Sequence, residues 1–356
     1  MNLELKKTYV IAEIGVNHNG NVHLAKKMIK KAKKSGANAV KFQSFKAKNL
    51  VTIFAKQAPY QTKNTKIKEK QIDMLKKYEL LDNVYLLLKK ECKKNKIDFI
   101  SSVFDEESYD FLSQKIKPKI VKVPSGELTN YLLLKKLNYK SNYIFLSTGM
   151  SDYSEIIDAL NVIAKKKVFS LNKNNQIVII DKKLHTKIKK KICLMHCVTD
   201  YPVSDSFANI NCISSFIKDF KLVIGYSDHT IGDLGPIIAI SKGAKIIEKH
   251  FTLNKNFQGP DHLASLDFYE FKEMVKKIRI SEKMFGTGIK KMEKCEIKNS
   301  KVARKSLVAK EKISKGELFT YKNITAKRPG GGRNPFKIFK LINKKSKKNY
   351  MKDQFI

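Results

Sequence analysis

The chain has 356 residues, 42 % of them hydrophobic, and a formal net charge of +39. This length and apolar content are typical of a globular protein with a sizeable core, and they exclude an intrinsically disordered chain. No apolar run approaches the roughly 20 residues that cross a bilayer, and the N-terminus lacks a signal-peptide pattern, so we expect no membrane partner.

Lysine carries almost all of the positive charge. Arginine occurs only at positions 279, 304, 328 and 333, whereas lysines are spread along the whole chain. Proteins that read nucleic acids rely on arginine for bidentate contacts, so we predict a solvated lysine-rich surface and no specific nucleic-acid partner. A lysine-rich polyanion-binding protein is the alternative from another functional class. The five cysteines are scattered and form no CxxC pair, which predicts reduced thiols and a cytoplasmic location.

Eight short apolar runs alternate with helix-like segments in the first 285 residues. The runs span 8–15, 39–45, 98–104, 120–127, 143–149, 192–198, 222–228 and 244–251. A strand followed by a helix, repeated eight times, predicts parallel strands joined by crossovers. We therefore predict an α/β fold, a (β/α)8 TIM barrel over residues 1–285. An open doubly wound sheet is the alternative, and the lack of a GxGxxG motif after the first strand disfavours its dinucleotide-binding form.

Two insertions interrupt the repeat. Residues 46–80 follow the second run, and we expect an extended loop on the catalytic face that acts as a lid or a substrate wall. Residues 168–190 precede the sixth run, which places them on the opposite face without a catalytic role.

The pattern changes after residue 285. Residues 286–300 have the composition of a linker, and residues 301–356 carry short segments punctuated by Gly and Pro. We predict a small separate domain, mainly β, over residues 301–356.

The predicted strands all end in polar residues. The ends read "EIGVNHNG", "KFQ", "SSVFD", "KVPSGE", "LSTGM", "HCVTDYP", "SDH" and "EKH". Catalytic groups of (β/α)8 barrels come from these ends. Because burying Glu13, Lys41, Lys122 and Glu127 without partners would cost several kcal/mol each, we expect them to pair with each other or with a ligand.

Two histidines, His229 and His250, end the seventh and eighth runs. Neighbouring parallel strands lie about 5 Å apart, so both side chains can face one centre despite their sequence separation. They are either satisfied polar residues or the protein ligands of a divalent metal whose shell is completed by water or substrate oxygens.

Two lysines, Lys41 and Lys122, occupy strand ends as well. They either form salt bridges with Glu13 and Glu127 or bind an anion. Four hydroxyls are added by neighbouring strand ends, those of Ser102, Ser125, Ser147 and Ser227. Cations with several small donors favour a phosphate or carboxylate ligand, and the lack of a P-loop argues against nucleotide hydrolysis.

Nine motifs in chain order resemble the sialic acid (N-acetylneuraminate) synthase family. They are "IAEIGVNHNG", "KFQSFKAKN", "VKVPSGELTN", "LSTGM", "HCVTDYP", "GYSDHT", "EKHFTLNKNFQGPDH", "RKSLVAKEKISKGE" and "KRPGGG". That family condenses phosphoenolpyruvate with an N-acylated mannosamine-type sugar. Within it, "KFQSFKAKN", "APYQ" and "GPDHLASL" look most like the bacterial legionaminate synthases, whose sugar is a 2,4-diacetamido-2,4,6-trideoxymannose. Another phosphoenolpyruvate-dependent sugar-acid synthase, such as pseudaminate synthase, is the alternative.

The resemblance also implies an architecture and an assembly. The family fold is a (β/α)8 barrel followed by a small antifreeze-like (SAF, β-clip) domain, and the family forms domain-swapped homodimers. Arg328 in "KRPGGG" would then reach the sugar in the partner subunit. Without that assembly, it is a surface arginine beside a Gly-rich turn.

The resemblance further implies a role for each strand-end residue. His229 and His250 would bind Mn2+ or Mg2+, which would polarise the aldehyde of the open-chain sugar, and Glu13 would transfer a proton or position water. Phosphoenolpyruvate would be held by Lys41, Ser102, Lys122, Ser125, Ser147 and Ser227. The sugar would be oriented by Gln43, Glu127, Tyr201 and Asp261. C3 of phosphoenolpyruvate would attack the aldehyde, water would add at C2, and phosphate would leave with C–O cleavage.

Two motifs depart from the family pattern. The sixth strand end has Thr199 and Asp200 in "TDYP", where the sialic acid branch often has Asn before "YP", and the third reads "SSVF" in place of "STPF". Both bear on substrate detail. Since no core motif is missing, we expect an active enzyme.

Overall fold

The computed structural model describes residues 5–356, which divide into two compact units. One unit ends at Gly286 and the other runs from Thr287 to Ile356, next to the boundary expected after residue 285. Within the described residues, no helix combines the length and apolarity needed to cross a membrane.

The first unit is built around a closed barrel of eight parallel strands. In its described residues the unit has ten strands, eight of which form the barrel. They are β1 (Tyr9–Gly15), β2 (Ala39–Ser44), β3 (Asp98–Val103), β4 (Ile120–Val123), β5 (Tyr143–Ser147), β6 (Phe169–Leu171), β7 (Ile177–Ile179), β8 (Ile192–His196), β9 (Val223–Asp228) and β10 (Ile246–His250). The order around the barrel is β1-β10-β9-β8-β5-β4-β3-β2, while β6 and β7 form a separate two-stranded sheet. The predicted barrel is confirmed, and the alternative of an open sheet is wrong because β1 pairs with both β2 and β10.

Helices connect the strands. They are α1 (Val22–Lys34), α2 (Ala47–Leu50), α3 (Pro59–Thr65), α4 (Gln71–Tyr78), α5 (Asp82–Lys94), α6 (Glu106–Phe111), α7 (Tyr131–Lys136), α8 (Tyr153–Ala164), α9 (Lys182–Lys189), α10 (Cys212–Phe220), α11 (Leu234–Ser241) and α12 (Phe268–Met284). In α1, the Asn21 side chain caps the amide of Leu24. The buried residues of α1 recur at helical spacing and are Ala25, Met28, Ile29 and Ala32. This apolar stripe packs against the barrel, and the lysines of α1 face solvent.

The fourth strand is shorter than predicted. The run 120–127 was expected to be extended throughout, but the strand ends at Val123. Pro124 lacks an amide hydrogen and cannot continue the ladder of strand hydrogen bonds, and Ser125–Glu127 forms a 3-10 turn instead. Ser125 and Glu127 are therefore placed by this turn and not by the strand.

The insertion 46–80 is helical, so the expectation of an extended loop is wrong. It contains α2, α3 and α4, and Pro59 starts α3 at the position where its missing amide hydrogen costs nothing. The Gln61 side chain accepts a hydrogen bond from the amide of Ala58 at 2.9 Å, which caps the same helix. Met74 and Leu75 of α4 are buried in a small apolar cluster with Phe45.

The second unit is small. It contains α13 (Glu296–Ala303) and an antiparallel pair, β11 (Ser306–Ala309) and β12 (Ile324–Lys327). Its core consists of Leu307, Ala309, Ile313, Phe319, Ile324 and Leu341. α13 begins inside the segment 286–300 that we interpreted as a linker. The assignment of residues 301–356 to an antifreeze-like domain stays a prediction.

Candidate active site

The barrel holds a cavity of about 310 Å³ at the carboxyl ends of its strands. All thirteen site residues predicted in the barrel line it: Glu13, Lys41, Gln43, Ser102, Lys122, Ser125, Glu127, Ser147, Tyr201, Ser227, His229, His250 and Asp261. Arg328, the fourteenth, is exposed on the second unit directly after β12. No residue of the 168–190 insertion lines the cavity.

The alternation of side chains along each strand places these residues on the inner face of the barrel. Inward-facing residues recur every second position, and the lower barrel interior is apolar. Its residues include Ile11, Ala39, Ile100, Ile120, Phe145 and Ile246. Two positions further along the same strands stand Glu13, Lys41, Ser102, Lys122, Ser147 and Glu248. The interior therefore changes from apolar to charged within one step of the strand period, and the polar layer forms the floor of the cavity.

A buried charge network forms that floor. Lys41 Nζ lies 3.0 Å from Glu13 Oε1 and donates to Ser102 Oγ at 2.8 Å. Lys122 Nζ lies 2.8 Å from Glu248 Oε2. Glu248 Oε1 accepts a hydrogen bond from Ser227 Oγ at 2.9 Å and lies 3.5 Å from Lys41 Nζ. The two lysines thus share Glu248.

Glu127 is not part of this network. The salt-bridge interpretation gave the lysines Glu13 and Glu127 as partners, and for Glu127 it is wrong. Glu127 stands on the 3-10 turn after β4, and its carboxylate accepts a hydrogen bond from Asn130 Nδ2 at 2.6 Å. Burial raises the pKa of Glu127.

The ionisation of the floor follows from its pairing. Burial alone would raise the pKa of Glu248, but Lys122 and Lys41 outweigh it and hold the pKa at about 2. For Lys41, burial alone would lower the pKa. The nearby carboxylates of Glu13 and Glu248 outweigh burial, so the pKa of Lys41 lies above its ordinary value. For Glu13, burial and the nearby Glu248 raise the pKa despite Lys41. Glu13 Oε2 is buried with no hydrogen-bond partner among the described residues, which leaves it free for a ligand or a water molecule.

The two histidines face each other at the top of β9 and β10, with ring centroids 5.7 Å apart. His229 Nδ1 lies 2.6 Å from the carbonyl oxygen of Val198, so Nδ1 carries the hydrogen and Nε2 keeps its lone pair. His250 Nδ1 is buried with no hydrogen-bond partner in the described chain and lies 3.7 Å from Asp261 Oδ2. Burial lowers the pKa of His229 to about 4 and that of His250 well below its ordinary value. Both rings are therefore neutral, the form that binds metals.

This arrangement fits a divalent cation with open coordination positions. Across residues 5–356, no group of three or more His, Cys, Asp and Glu side chains is arranged to hold a metal. The protein would thus supply two neutral nitrogens, and water or substrate oxygens would complete the shell. The unpartnered nitrogen of His250 supports this fit, because a buried polar atom without a partner is unfavourable unless a ligand satisfies it.

Aromatic side chains and a second buried carboxyl border the histidines. The Tyr201 ring packs 4.2 Å from His229 and 4.9 Å from Tyr60, measured between centroids. Burial and the nearby Glu13 raise the pKa of Asp261 to about 7. The loop that carries Asp261 is held to α3 by a hydrogen bond of 2.6 Å from Asn64 Nδ2 to the carbonyl oxygen of Pro260. The insertion 46–80 therefore contacts the loop that carries Asp261, as expected for a segment that forms a wall of the substrate site.

Several lining residues have no site role among the sequence predictions, although Thr199 is noted there as bearing on substrate detail. Glu248 stands two positions before His250, so strand alternation alone places both on the inner face. Thr199 has a buried hydroxyl without a partner among the described residues. The insertion and neighbouring loops add an apolar wall, formed by Phe45, Leu50, Val51, Met74, Leu75, Phe104 and Met150. Phe45, Phe104 and Met150 belong to quoted motifs that were interpreted only for their polar residues. The contribution of Leu50, Met74 and Leu75 depends on how α2 and α4 fold over the barrel.

Comparison with known proteins gives consistent results. The sequence model of the NeuB family matches residues 28–290. The chain is 45 % identical over 352 residues to the N,N'-diacetyllegionaminic acid synthase of Campylobacter jejuni, covering 99 % of each chain. It is 37 % identical to the enzyme of that name from Legionella pneumophila, covering 96 % of this chain and 91 % of the relative.

A solved structure shows the same architecture. The N-acetylneuraminic acid (sialic acid) synthetase of Leptospira borgpetersenii, crystallised with citrate, superposes with a TM-score of 0.67 at 28 % identity. The match covers 82 % of this chain and 90 % of that one.

Proposed function

The chain belongs to the NeuB family, and we propose that it is a nonulosonic acid synthase that condenses phosphoenolpyruvate with an N-acylated mannosamine-type sugar. The observation that carries this proposal is the meeting of two buried lysines and two neutral histidines in one cavity. The first pair suits a multiply charged anion, and the second suits a cation that activates a carbonyl. The similarity to legionaminic acid synthases favours the 2,4-diacetamido-2,4,6-trideoxymannose as the sugar.

The anion half of the site would hold phosphoenolpyruvate. Lys41 and Lys122 supply the charge, and four hydroxyls add short donors: Ser102, Ser125, Ser147 and Ser227. Ser125 Oγ already accepts a hydrogen bond from the amide of Gly149 at 3.1 Å, which fixes its position. As the anion binds, its oxygens replace some of the lysine contacts to Glu13 and Glu248. C3 of the bound molecule is then held towards the histidine side.

The cation half of the site would hold Mn2+ or Mg2+ on His229 and His250. When bound, the metal supplies Lewis-acid polarisation of the sugar aldehyde. Gln43, Glu127, Tyr201 and Asp261 would orient the sugar, and the apolar wall from α2 and α4 would keep bulk water away from the reacting carbons. C3 of phosphoenolpyruvate attacks the aldehyde carbon, water adds at C2, and phosphate leaves with cleavage of the C–O bond.

Glu13 is the proposed proton carrier. Its Oε2 atom has no partner in the described chain, while Oε1 is held by Lys41 at 3.0 Å and by Gln43 Nε2 at 3.2 Å. Burial and the nearby Glu248 raise the pKa of Glu13 above its ordinary value, which makes the carboxylate a stronger base, and its unpartnered oxygen can accept a proton from the attacking water. Positioning by Lys41 and Gln43 aims this oxygen before the substrates arrive.

The proposal extends to the second unit and to the oligomeric state. We infer that the second unit is antifreeze-like and that the chain forms a domain-swapped homodimer, in which Arg328 contacts the sugar of the partner subunit. Its exposed guanidinium leaves it available for such a contact. The cytoplasmic location stays a prediction.

A phosphate-release assay tests the activity. We expect release from phosphoenolpyruvate with Mn2+ only when a sugar is present, and faster release with the diacetamido trideoxy sugar than with N-acetylmannosamine. His229→Ala should abolish release, whereas His23→Ala, at an exposed histidine of α1, should not. Release that does not depend on a sugar would contradict the reaction, and full activity of His229→Ala would contradict the metal assignment.

A further inference from the structure

A fully buried ion pair lies beside the two histidines. Asp228 precedes His229, and Lys249 precedes His250. Lys249 Nζ lies 2.5 Å from Asp228 Oδ2, and both side chains have 0 % exposure. Neither residue lines the cavity, so neither can contact a substrate there.

The two residues lie on the outer face of the barrel. Asp228 and Lys249 are register partners on β9 and β10. Neighbouring residues of a strand point to opposite faces, so this pair points towards the helices while His229 and His250 point into the cavity. One side-chain contact thus joins the two strands at the positions immediately before the histidines.

Further hydrogen bonds extend the pair past His229. Asp228 Oδ1 accepts from the amide of Thr230 at 3.0 Å and from its hydroxyl at 2.9 Å. Lys249 Nζ donates to the carbonyl oxygen of Thr230 at 2.5 Å. His229 is therefore held on both sides, by Asp228 before it and by Thr230 after it. We call Asp228, Thr230 and Lys249 the clamp.

Helix α11 packs closely against the clamp at Gly235. A Cβ atom at Gly235 would lie 3.0 Å from Asp228 Oδ1 and 3.0 Å from Thr230 Oγ1. The missing side chain at this position lets the helix approach that closely. Packed between barrel and helix, the clamp has little freedom to rearrange.

A buried ion pair is a weak source of stability, because the cost of removing two charges from water offsets most of their attraction. The geometry points instead to a positioning role. We propose that the clamp sets the distance and orientation of His229 and His250, and thereby the affinity of the site for its divalent metal. This inference rests on the proposed metal site. Asp228, Thr230 and Lys249 are positioning residues that act through the histidines.

Direct measurement of Mn2+ binding to the full-length protein tests the clamp, by calorimetry or by the electron paramagnetic resonance of free Mn2+. The main variant is Asp228→Asn combined with Lys249→Met, which removes both charges and leaves neither one buried alone. We expect it to fold and to bind Mn2+ about tenfold more weakly than wild type, which is the lower end of the loss seen when a direct hydrogen-bond partner of a metal ligand is removed.

The matched control is Tyr9→Phe. It removes a partly buried hydrogen bond of 2.6 Å to Asp98 at the amino-terminal end of β1, whereas the histidines lie at the carboxyl ends of β9 and β10. This variant should bind Mn2+ with wild-type affinity even where its melting temperature falls. A milder change in the clamp, Thr230→Val, removes only the hydroxyl donor and should weaken binding by a smaller factor.

The outcomes separate the two proposals. A folded double variant with wild-type Mn2+ affinity would contradict the clamp and leave the metal site in place. If the double variant does not fold, Thr230→Val decides, and unchanged affinity there contradicts the clamp. Failure of the wild-type protein to bind Mn2+, or equal binding by His229→Ala, would contradict the metal site and the clamp together.

Discussion

Lys122 and Glu248 face each other across the centre of the barrel, with Nζ and Oε2 2.8 Å apart. Their strands, β4 and β10, stand on opposite sides of the closed sheet. The contact therefore spans the barrel interior and closes it beneath the cavity, between the apolar layer and the proposed substrates.

Glu248→Gln should destabilise the free protein and make it more dependent on its ligand. Lys122 has no other carboxylate within salt-bridge distance among residues 5–356, so the change leaves a buried charge unpaired. We expect a loss of about 3 kcal/mol or more in the free energy of unfolding. Added phosphoenolpyruvate should then raise the melting temperature more in the variant than in wild type, because it supplies the missing negative charge. Thermal unfolding with and without phosphoenolpyruvate measures both effects.

Asp73→Asn serves as the control for that experiment. Asp73 lies 4.0 Å from Lys76 in an exposed pair, whose removal should hardly change stability. Equal ligand-induced shifts in Glu248→Gln and wild type would show that Lys122 is not part of the anion site.

Thr199→Val should weaken substrate binding without destabilising the protein. The Thr199 hydroxyl is buried without a partner in the described chain, and the same small space beside Gly149 is bordered by Ser125 Oγ. Removing an unsatisfied polar atom costs no hydrogen bond, so the melting temperature should not fall. We expect the KM for phosphoenolpyruvate to rise about fivefold, as for a lost hydrogen bond of about 1 kcal/mol.

Thr252→Val is the control for Thr199→Val, because it removes a hydroxyl that already has hydrogen-bond partners. Its hydroxyl contacts His262 Nδ1 at 2.8 Å and donates to the carbonyl oxygen of Asn254 at 3.1 Å. That variant should melt at a lower temperature. A stability loss in Thr199→Val of the same size would contradict the idea that its hydroxyl awaits a ligand.

Gly235→Ala should destabilise the protein although alanine favours helices. The intrinsic preference for alanine is worth up to about 1 kcal/mol. It is outweighed because the new Cβ atom meets Asp228 and Thr230 at 3.0 Å, and the clamp cannot move aside. We expect a net loss of about 1 kcal/mol or more in unfolding free energy by denaturant titration. Gly126→Ala, where no atom beyond the two adjacent residues lies within 4 Å of the new Cβ, should show no such loss.

His18 should make stability fall with decreasing pH. Burial lowers its pKa from 6.5 to about 4, so between these values the unfolded chain binds a proton that the folded protein does not. The free energy of unfolding should therefore drop as pH falls from 6.5 to 4, by up to about 3 kcal/mol from this residue. His18→Asn keeps an acceptor for the amide of Gly20, which now bonds to His18 Nδ1 at 3.0 Å. Its denaturation curves should depend less on pH in that window, and parallel curves for both proteins would contradict the assignment.

The barrel and most of its polar layer were accessible from the sequence for a simple reason. Parallel strands read as apolar runs, and their carboxyl ends lie at one edge, so Lys41 and His229 could be assigned to one site without knowing any contact. Glu248 follows the same rule, since it stands two positions before His250 on the same strand. Pairing was harder to predict, since Lys122 meets Glu248 only because the barrel closes.

Other features depend on tertiary packing that no local pattern reports. The helices of residues 46–80 are short, so their apolar residues show little helical periodicity in the sequence. Their burial follows from packing against Phe45 in the folded structure. The clamp is equally hidden, because Asp228 and Lys249 read as ordinary polar residues beside the histidines. Their burial follows from the approach of α11, which Gly235 permits.

The closure of β1 on β10 also sets the order in which the protein can fold during synthesis. Tyr9 pairs with Ile246, so the first barrel strand to leave the ribosome has one neighbour, β2, until the last barrel strand, β10, appears. At ordinary elongation rates, that wait is roughly 12 to 50 s. Throughout it, β1 keeps an open edge of unpaired amide and carbonyl groups. The nascent chain is thus exposed to misassociation for most of its translation, and the charge floor cannot form before Glu248 has emerged.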